Sequence, residues 1–459
     1  MSEAQGCSKI TLVRERPHTA ALKAGSKSEI RRKSEIRSPH PVPHSVRSLR
    51  DTEAPVASVL SAEPMPESFA ISAFGFRPSD FGFSSGLDAG DRALTMPSMN
   101  RAENRLLLGL PVNAPWVSVS CWLAFQAGLI PTAKAADYAI GADVSFLKQA
   151  ESQGAVFKDQ AQAKPGLAIL KDHGYNWVRL RLFHSPARLP NDLPYTISSA
   201  QEARKLGFKF LLDYHYSDSW ADPGKQTIPK AWEGKSHPEL VQAVFDYTRD
   251  TIQAFANAGV LPDLVQVGNE ITPGMLWPDG KLPENWPNFA DLLKAGIKGV
   301  KAGSGANPPP RIMIHIDRGG DKKRTQYFFD KLDSYDIPYD VIGQSYYPWW
   351  QGSLLDLREN LNFMAAHYHK DIILVEVAYC WRPTEYKQRS GPFPETPEGQ
   401  KEFLDEANRI VLATPDNRGI GIFWWEPAVK TGPLRSRGFF GDDGSTLPVI
   451  TAFDRLAKK

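Results

Sequence analysis

Cysteine is nearly missing from this sequence. Three occur in 459 residues, Cys7, Cys121 and Cys380, at spacings that match no metal-binding pattern, and two lie in an atypical first part of the chain, so a disulfide framework is excluded. A surplus of either charge is missing too: 54 Lys and Arg against 52 Asp and Glu leave a formal charge of +2, which selects neither nucleic acid nor a membrane surface as partner. A Gly-rich phosphate fingerprint after the first predicted strand is also lacking, which counts against an open nucleotide-binding sheet. What is present is an apolar content of 42%, enough for a large core, and twelve Trp, most of them beside polar residues in the last two-thirds. Such Trp either stack on sugar rings or fill the core.

Residues 1–98 have no sustained periodicity, are rich in Ser, Pro and Arg, and repeat KSEIR-RKSEIR between Lys27 and Arg37. They read as a disordered extension or an over-extended gene start. Their basic run has no aromatics around it and is not taken as a nucleic-acid patch. A second start follows at Met96 or Met99. Arg101 and Arg105 precede a stretch from Leu106 to Ala133 without a charged residue, which closes on Ala133-Lys134-Ala135. That is the order of a secretory signal, placed at 99–135, with a mature chain from Ala136 that is secreted or periplasmic. The rival reading is a membrane anchor, but Pro111, Asn113, Pro115 and Gln126 interrupt the apolar span of ~20 residues it needs. Lipid attachment at Cys121 is disfavoured by the bulky Trp122 and Phe125 after it.

Residues 136–459 alternate short β-branched and aromatic runs with helix-like segments. The runs are IGADVS (140–145), WVRLRLF (177–183), KFLLDYHY (209–216), LVQVGNE (264–270), IMIHID (312–317), VIGQSYY (341–347), IILVEV (372–377) and IGIFWWE (420–426). Eight strand-then-helix units predict a (β/α)8 barrel, with an open doubly wound sheet as the rival. A barrel keeps its active site at the C-terminal ends of the strands. Those ends carry Arg179, Arg181, Asp213, His215, Asn269, Glu270, His315, Asp317, Tyr346, Tyr347, Glu376, Trp425 and Glu426.

Glu270 and Glu376 each close a predicted strand, and paired carboxylates across a cleft are what glycoside hydrolysis uses. Asn269 beside Glu270 suits a hydrogen bond to a sugar hydroxyl, and a facing carboxylate would raise the pKa of Glu270, as a general acid needs. Glu376 follows four apolar residues, so its charge is costly unless it is bonded or functional, and nucleophile is the sharper reading. Glu426 competes for that role, or pairs with an Arg. Arg179 and Arg181 share one side of their strand, one to hold the nucleophile ionised, the other to close a buried ion pair. His215 and His315 have no third partner at zinc spacing and are expected to hydrogen-bond substrate or carboxylate. Trp220, Trp232, Trp349, Trp350 and Trp425 are candidates for stacking or for core.

From Gly141 onward the chain resembles glycoside hydrolase family 53, the arabinogalactan endo-β-1,4-galactanases. The resemblance rests on GADVSFL, WVRLRLF, DYHYSDSWADPGKQTIPKAW, VQVGNEITPGMLWP, IMIHIDRGGD, SYYPWW, LVEVAY and FWWEPA, in that order. It implies a retaining (β/α)8 enzyme acting on β-1,4-galactan and type I arabinogalactan. Glu270 would be acid/base, Glu376 nucleophile and Asn269 the partner of the 2-hydroxyl. Arg179 and Tyr347 would support the nucleophile, and His215, Asp218, Trp220, His315, Asp317 and Trp425 would bind substrate or support the site. The stretch Asp317-Arg318-Gly319-Gly320-Asp321 lacks the Trp often found there in the family, so chain-length preference is expected to differ. No cofactor is required. Asp442 and Asp443 are candidate calcium ligands, with a solvated turn as the alternative. A monomer is expected, with no nucleic-acid partner and no membrane contact in the mature form. The alternatives are a β-1,4-glycanase of the same clan acting on mannan, xylan or cellulose, or a galactan-binding protein without turnover.

Overall fold

Alternation with a period of two decides what each strand contributes, because successive side chains face the barrel interior and the surrounding helices in turn. The computed structural model describes residues 138–383, 390–429 and 433–457. The extension at 1–98 and the signal at 99–135 lie outside the described residues. The eight barrel strands are β1 (Ala139–Asp143), β2 (Trp177–Leu182), β3 (Lys209–Tyr214), β4 (Leu264–Val267), β5 (Arg311–Ile316), β6 (Val341–Tyr346), β7 (Asp371–Val377) and β8 (Gly419–Trp425). All pair in parallel, and β1 bonds both β2 and β8, so the sheet closes on itself and no edge is left open. The expected (β/α)8 barrel is therefore the observed fold.

Inward residues near the strand starts form an apolar floor: Ala139, Trp177, Leu211, Leu264, Met313, Val341, Ile373, Val375 and Phe423. Continuing upward by twos along the same strands brings in Asp143, Arg179, Arg181, Asp213, Gln266, His315 and Ser345, all buried. The barrel thus changes from hydrocarbon to hydrogen-bonding groups partway up. Outward residues such as Val178, Leu180, Leu212, Val265, Ile314 and Leu374 pack in the main core with the helices. Helix α1 (Gly166–Asp172) follows β1, and α2 (Leu193–Lys205), α3 (His237–Asn257), α4 (Trp286–Gly303), α5 (Lys322–Asp333), α6 (Leu354–Tyr368) and α7 (Pro397–Leu412) follow β2 to β7 in turn. Helix α3 starts at a capping box of Ser236 and Glu239, and buries Leu240, Val244, Thr248, Ile252 and Phe255 at near-fourfold spacing. Among the described residues no helix is long and apolar enough to cross a membrane.

Two departures from strict alternation shape the mouth. Strand β4 ends at Val267, three residues before the expected Glu270. Gly268 (φ 88°) and Glu270 (φ 47°) adopt left-handed backbone there, and a Cβ on Gly268 would sit 2.6 Å from Ile271 Cγ2. The second departure is a bulge on β7. Leu374 stands opposite Gln344 on β6 and Glu376 opposite Ser345, so Val375 is extra in that ladder; against β8 the register also shifts between Leu374 and Val377. Two short hairpins were not foreseen, Lys158–Asp159 with Gln162–Ala163 and Gly274–Met275 with Gly280–Lys281. Two-residue strands are too short to carry a periodic signal.

Candidate active site

Glu376 is held by two donors. Arg179 Nη1 reaches Oε2 at 3.0 Å, and the Tyr347 hydroxyl donates to Oε1 at 2.7 Å. Burial raises this carboxyl above the usual glutamate value, and the Arg179 charge and the Tyr347 bond oppose that rise. Among the described residues no cation pairs with Glu270. Ser345 Oγ lies 2.7 Å from its Oε1. Burial, then the negative charge of Glu376, then that of Asp317, push it well above the ordinary range. One carboxylate oxygen of Glu270, one of Glu376 and one ring nitrogen of His315 lie within 4.8 Å of one another. The two acids therefore face each other at short range with the proton favoured on Glu270 and the charge on Glu376.

Beneath the pair lies a charge network centred on Arg179. Its Nη1 also donates to Asp143 Oδ2 at 2.9 Å, and its Nη2 meets Asp213 Oδ2 (2.9 Å), Asn269 Oδ1 (2.9 Å) and Gln266 Oε1 (3.2 Å). Against its own burial, Asp213 is lowered to about 2 by Arg179 and His215. Asp143 is likewise held below the carboxylate range by Arg181 and Arg179, despite burial. Arg181 bridges Asp143 and Glu426, and its guanidinium lies 4.4 Å from the Trp220 ring centre. Glu426 is thus the arginine partner, the second of its two expected roles. Burial, partly countered by Arg181, raises it to about 8.

The remaining expected residues sort by what they can touch. Asn269 accepts from Arg179, Gln266 and His315 at Oδ1 and donates one Nδ2 hydrogen to Ala221 O at 2.9 Å, which leaves the second for a ligand. His215 and His315 are buried within the wall. His215 binds Asp213 at 3.2 Å and accepts from the Ala221 N–H at 3.0 Å, so it meets carboxylate and backbone. Asp317 pairs with Arg318 and accepts from Thr272 Oγ1 at 2.6 Å, and burial raises its pKa. Asp218 receives the backbone N–H of Ser185 (3.0 Å) and Lys230 (2.8 Å), which ties two rim loops together. Of the five Trp considered, Trp232 and Trp349 are core residues. Trp220, Trp350 and Trp425 are half-buried at the mouth, with Trp425 lying 6.2 Å from Trp220 and 6.3 Å from Tyr347 between ring centres. Asp442 accepts from Arg382 at 2.9 Å, and Asp443 accepts from Ser445 N (3.0 Å) and Oγ (2.6 Å), the arrangement of a polar turn.

Sequence reasoning passed over Asp143, Gln266, Ser345 and Asp222. The first three continue the inward rows above the floor, so counting by twos from Ala139, Leu264 and Val341 reaches them. Asp222, raised to about 6 by burial, sits in a loop where no such count applies.

The comparisons with known proteins agree with this geometry. The model of the family described as Glycosyl hydrolase family 53 matches residues 139–454. A Neosartorya fischeri protein named as a probable arabinogalactan endo-beta-1,4-galactanase A is 37% identical over 300 residues, 63% of this chain and 83% of its own length. An arabinogalactan endo-beta-1,4-galactanase of Cellvibrio japonicus is 34% identical over 336 residues, covering 70% of this chain and 87% of that protein. Among solved structures, the Ignisphaera aggregans GH53 catalytic domain superposes with a TM-score of 0.65 at 33% identity, covering 69% of this chain and 95% of its own. A fungal beta-1,4-galactanase structure gives 0.64 at 34% identity, with 69% and 99% covered. With the family match spanning the whole barrel, and two buried glutamates facing each other at its mouth, the chain belongs to glycosyl hydrolase family 53.

Proposed function

We propose that this protein is a retaining endo-β-1,4-galactanase that cleaves galactan and type I arabinogalactan by double displacement. The observation that carries the reading is the short separation of Glu270 and Glu376, whose nearest oxygens lie within 4.8 Å. Retaining glycosidases hold their carboxyl groups ~5–5.5 Å apart, whereas inverting ones leave ~6.5–9.5 Å for a water. Glu270 protonates the departing glycosidic oxygen while Glu376 attacks the anomeric carbon. Glu270 then takes a proton from water, which releases the sugar from Glu376. Arg179 and Tyr347 keep the nucleophile charged and aimed. The free Asn269 Nδ2 hydrogen is placed for the 2-hydroxyl, and Trp220, Trp350 and Trp425 offer half-buried faces for sugar rings. The choice of galactan follows the names of the relatives.

Release of reducing ends from β-1,4-galactan, measured beside mannan, xylan and cellulose, tests the substrate. The anomer first seen by NMR tests retention. A preference for another glycan, or an inverted first product, overturns the reading. We also read 99–135 as an export signal and the mature protein as a monomer beginning near Ala136. Terminal sequencing and light scattering of exported protein check both.

A further inference from the structure

The hydrogen bonds around Glu270 have a direction that can be read from one end. Asn269 Nδ2 donates to Ala221 O (2.9 Å) while Oδ1 accepts from Arg179 Nη2 (2.9 Å) and Gln266 Nε2 (3.1 Å), so the amide orientation is fixed. His315 Nδ1, 3.1 Å from that same oxygen, must then carry hydrogen and donate. Burial and the nearby Arg179 charge hold His315 well below its usual pKa, so the ring is neutral and Nε2 is a bare acceptor. The group facing Nε2 is Ser345 Oγ at 2.8 Å, and a hydroxyl has a single hydrogen to give. With that hydrogen directed at His315, the 2.7 Å contact between Ser345 Oγ and Glu270 Oε1 is a bond only if Glu270 supplies the proton.

We propose that Ser345 and His315 form a one-directional hydrogen-bond relay, running from Glu270 to Asn269, that keeps the transferable proton on Glu270 until the substrate takes it. The inference rests on the acid/base role given to Glu270 above. When Glu270 gives its proton to the glycosidic oxygen, it becomes a carboxylate, and the single Ser345 hydrogen now faces two acceptors, Glu270 Oε1 and His315 Nε2. One acceptor goes unserved while the glycosyl-enzyme lasts. Taking a proton from water restores Glu270 to its acid form and lets Ser345 turn back to His315, so the relay favours the second step as well as the resting state. Ser345 and His315 are positioning residues here: His315 is fully buried, and both act through Glu270.

Other charges face the relay from every side. Glu376 on β7, Asp317 beyond β5 and Asp222 beyond β3 act on Glu270, while Arg179 on β2 and Asp213 and His215 on and just beyond β3 act on His315. A Ser345→Ala substitution removes none of these. It does remove the acceptor of the Glu270 proton, so the alkaline limb of kcat/KM on β-1,4-galactan should move to lower pH, by up to about one unit. The opposite polarity, Ser345 donating to an ionised Glu270, moves the limb upward. An upward shift or an unmoved limb overturns the relay. A second readout needs no turnover: nitrogen NMR of ¹⁵N-histidine-labelled wild type, assigned with His315→Gln, should show Nδ1 protonated and Nε2 bare. The reverse tautomer, or a cationic ring, overturns the proposal even if galactan is cleaved. Failure to cleave galactan with the expected tautomer intact would instead count against the substrate reading.

Discussion

Glu270 and Glu376 are the same amino acid in two settings. Arg179 and Tyr347 stabilise the anion of Glu376, while Glu270 lies between acidic neighbours and has a hydroxyl as its partner. Their removal should therefore fail differently. Glu376→Ala should nearly abolish galactan hydrolysis, with azide restoring some turnover to an inverted product. Glu270→Ala should still glycosylate Glu376 from substrates with a good leaving group, accumulate the intermediate, and respond to azide with a product of retained configuration. Product anomers by NMR separate the two. Glu426 gives a prediction about pH. An unfolded glutamate ionises near 4.3, whereas this one keeps its proton to about 8, so in that interval unfolding releases a proton and stability falls as pH rises. Glu426→Gln cannot ionise, so the drop in Tm between pH 5 and 9 should be smaller than in wild type. At this scale much was legible. Arg179 stands on its strand as expected and Tyr347 just past the end of β6, whereas Glu270 lies three residues beyond β4 and Glu376 faces the interior only through a bulge. What was not legible was partnership: that Arg181 would take Glu426, or that Ser345 would meet both Glu270 and His315, depends on the closing of separate strands into a ring.

Elements aim these side chains, and they do so where regularity stops. Counting by twos from Ile373 and Val375, both in the barrel floor, puts Glu376 on the outer face beside Leu374. The bulge at Val375 cancels that step and returns Glu376 to the interior, which periodicity alone does not reveal. Deleting Val375 should restore the plain ladder and leave Glu376 two places after Ile373, still facing the interior opposite Ser345, so galactan hydrolysis should stay well above the level of Glu376→Ala. Activity as low as that of Glu376→Ala would show that the bulge itself, and not only the inward position, aims the carboxylate. The turn after β4 makes a similar demand. Gly268→Ala places a Cβ in left-handed backbone and 2.6 Å from Ile271, and should cost about 1–3 kcal/mol in denaturant unfolding. The left-handed Glu270 two residues later would move with it, so kcat should fall as well.

The order of eight strand-and-helix units, with polar residues massed at one end of every strand, was sufficient to predict the barrel. The strand ends and the two short hairpins were not predictable, because they answer to neighbours far away in sequence. The catalytic region draws on the whole ring: Asp143 from β1, Arg179 from β2, Asp213 from β3, Gln266 from β4, His315 from β5, Ser345 from β6, Glu376 from β7 and Glu426 just past β8. A chain ended at Leu412 lacks β8 and leaves β1 and β7 with unpaired backbone. It should show neither activity nor the protease resistance of the full barrel, although Glu270 and Glu376 both remain in it.

Ala139 of β1 pairs with Gly421 of β8, so the seam that closes the barrel joins almost the first and almost the last of its residues. A contact of such sequence separation forms late, after most of the loop-closure entropy has been met. While a chain emerges from its amino end, Arg181 waits for Glu426 and β1 waits for its second neighbour. The ring of polar groups that surrounds the two glutamates is therefore complete only when its last strand has arrived.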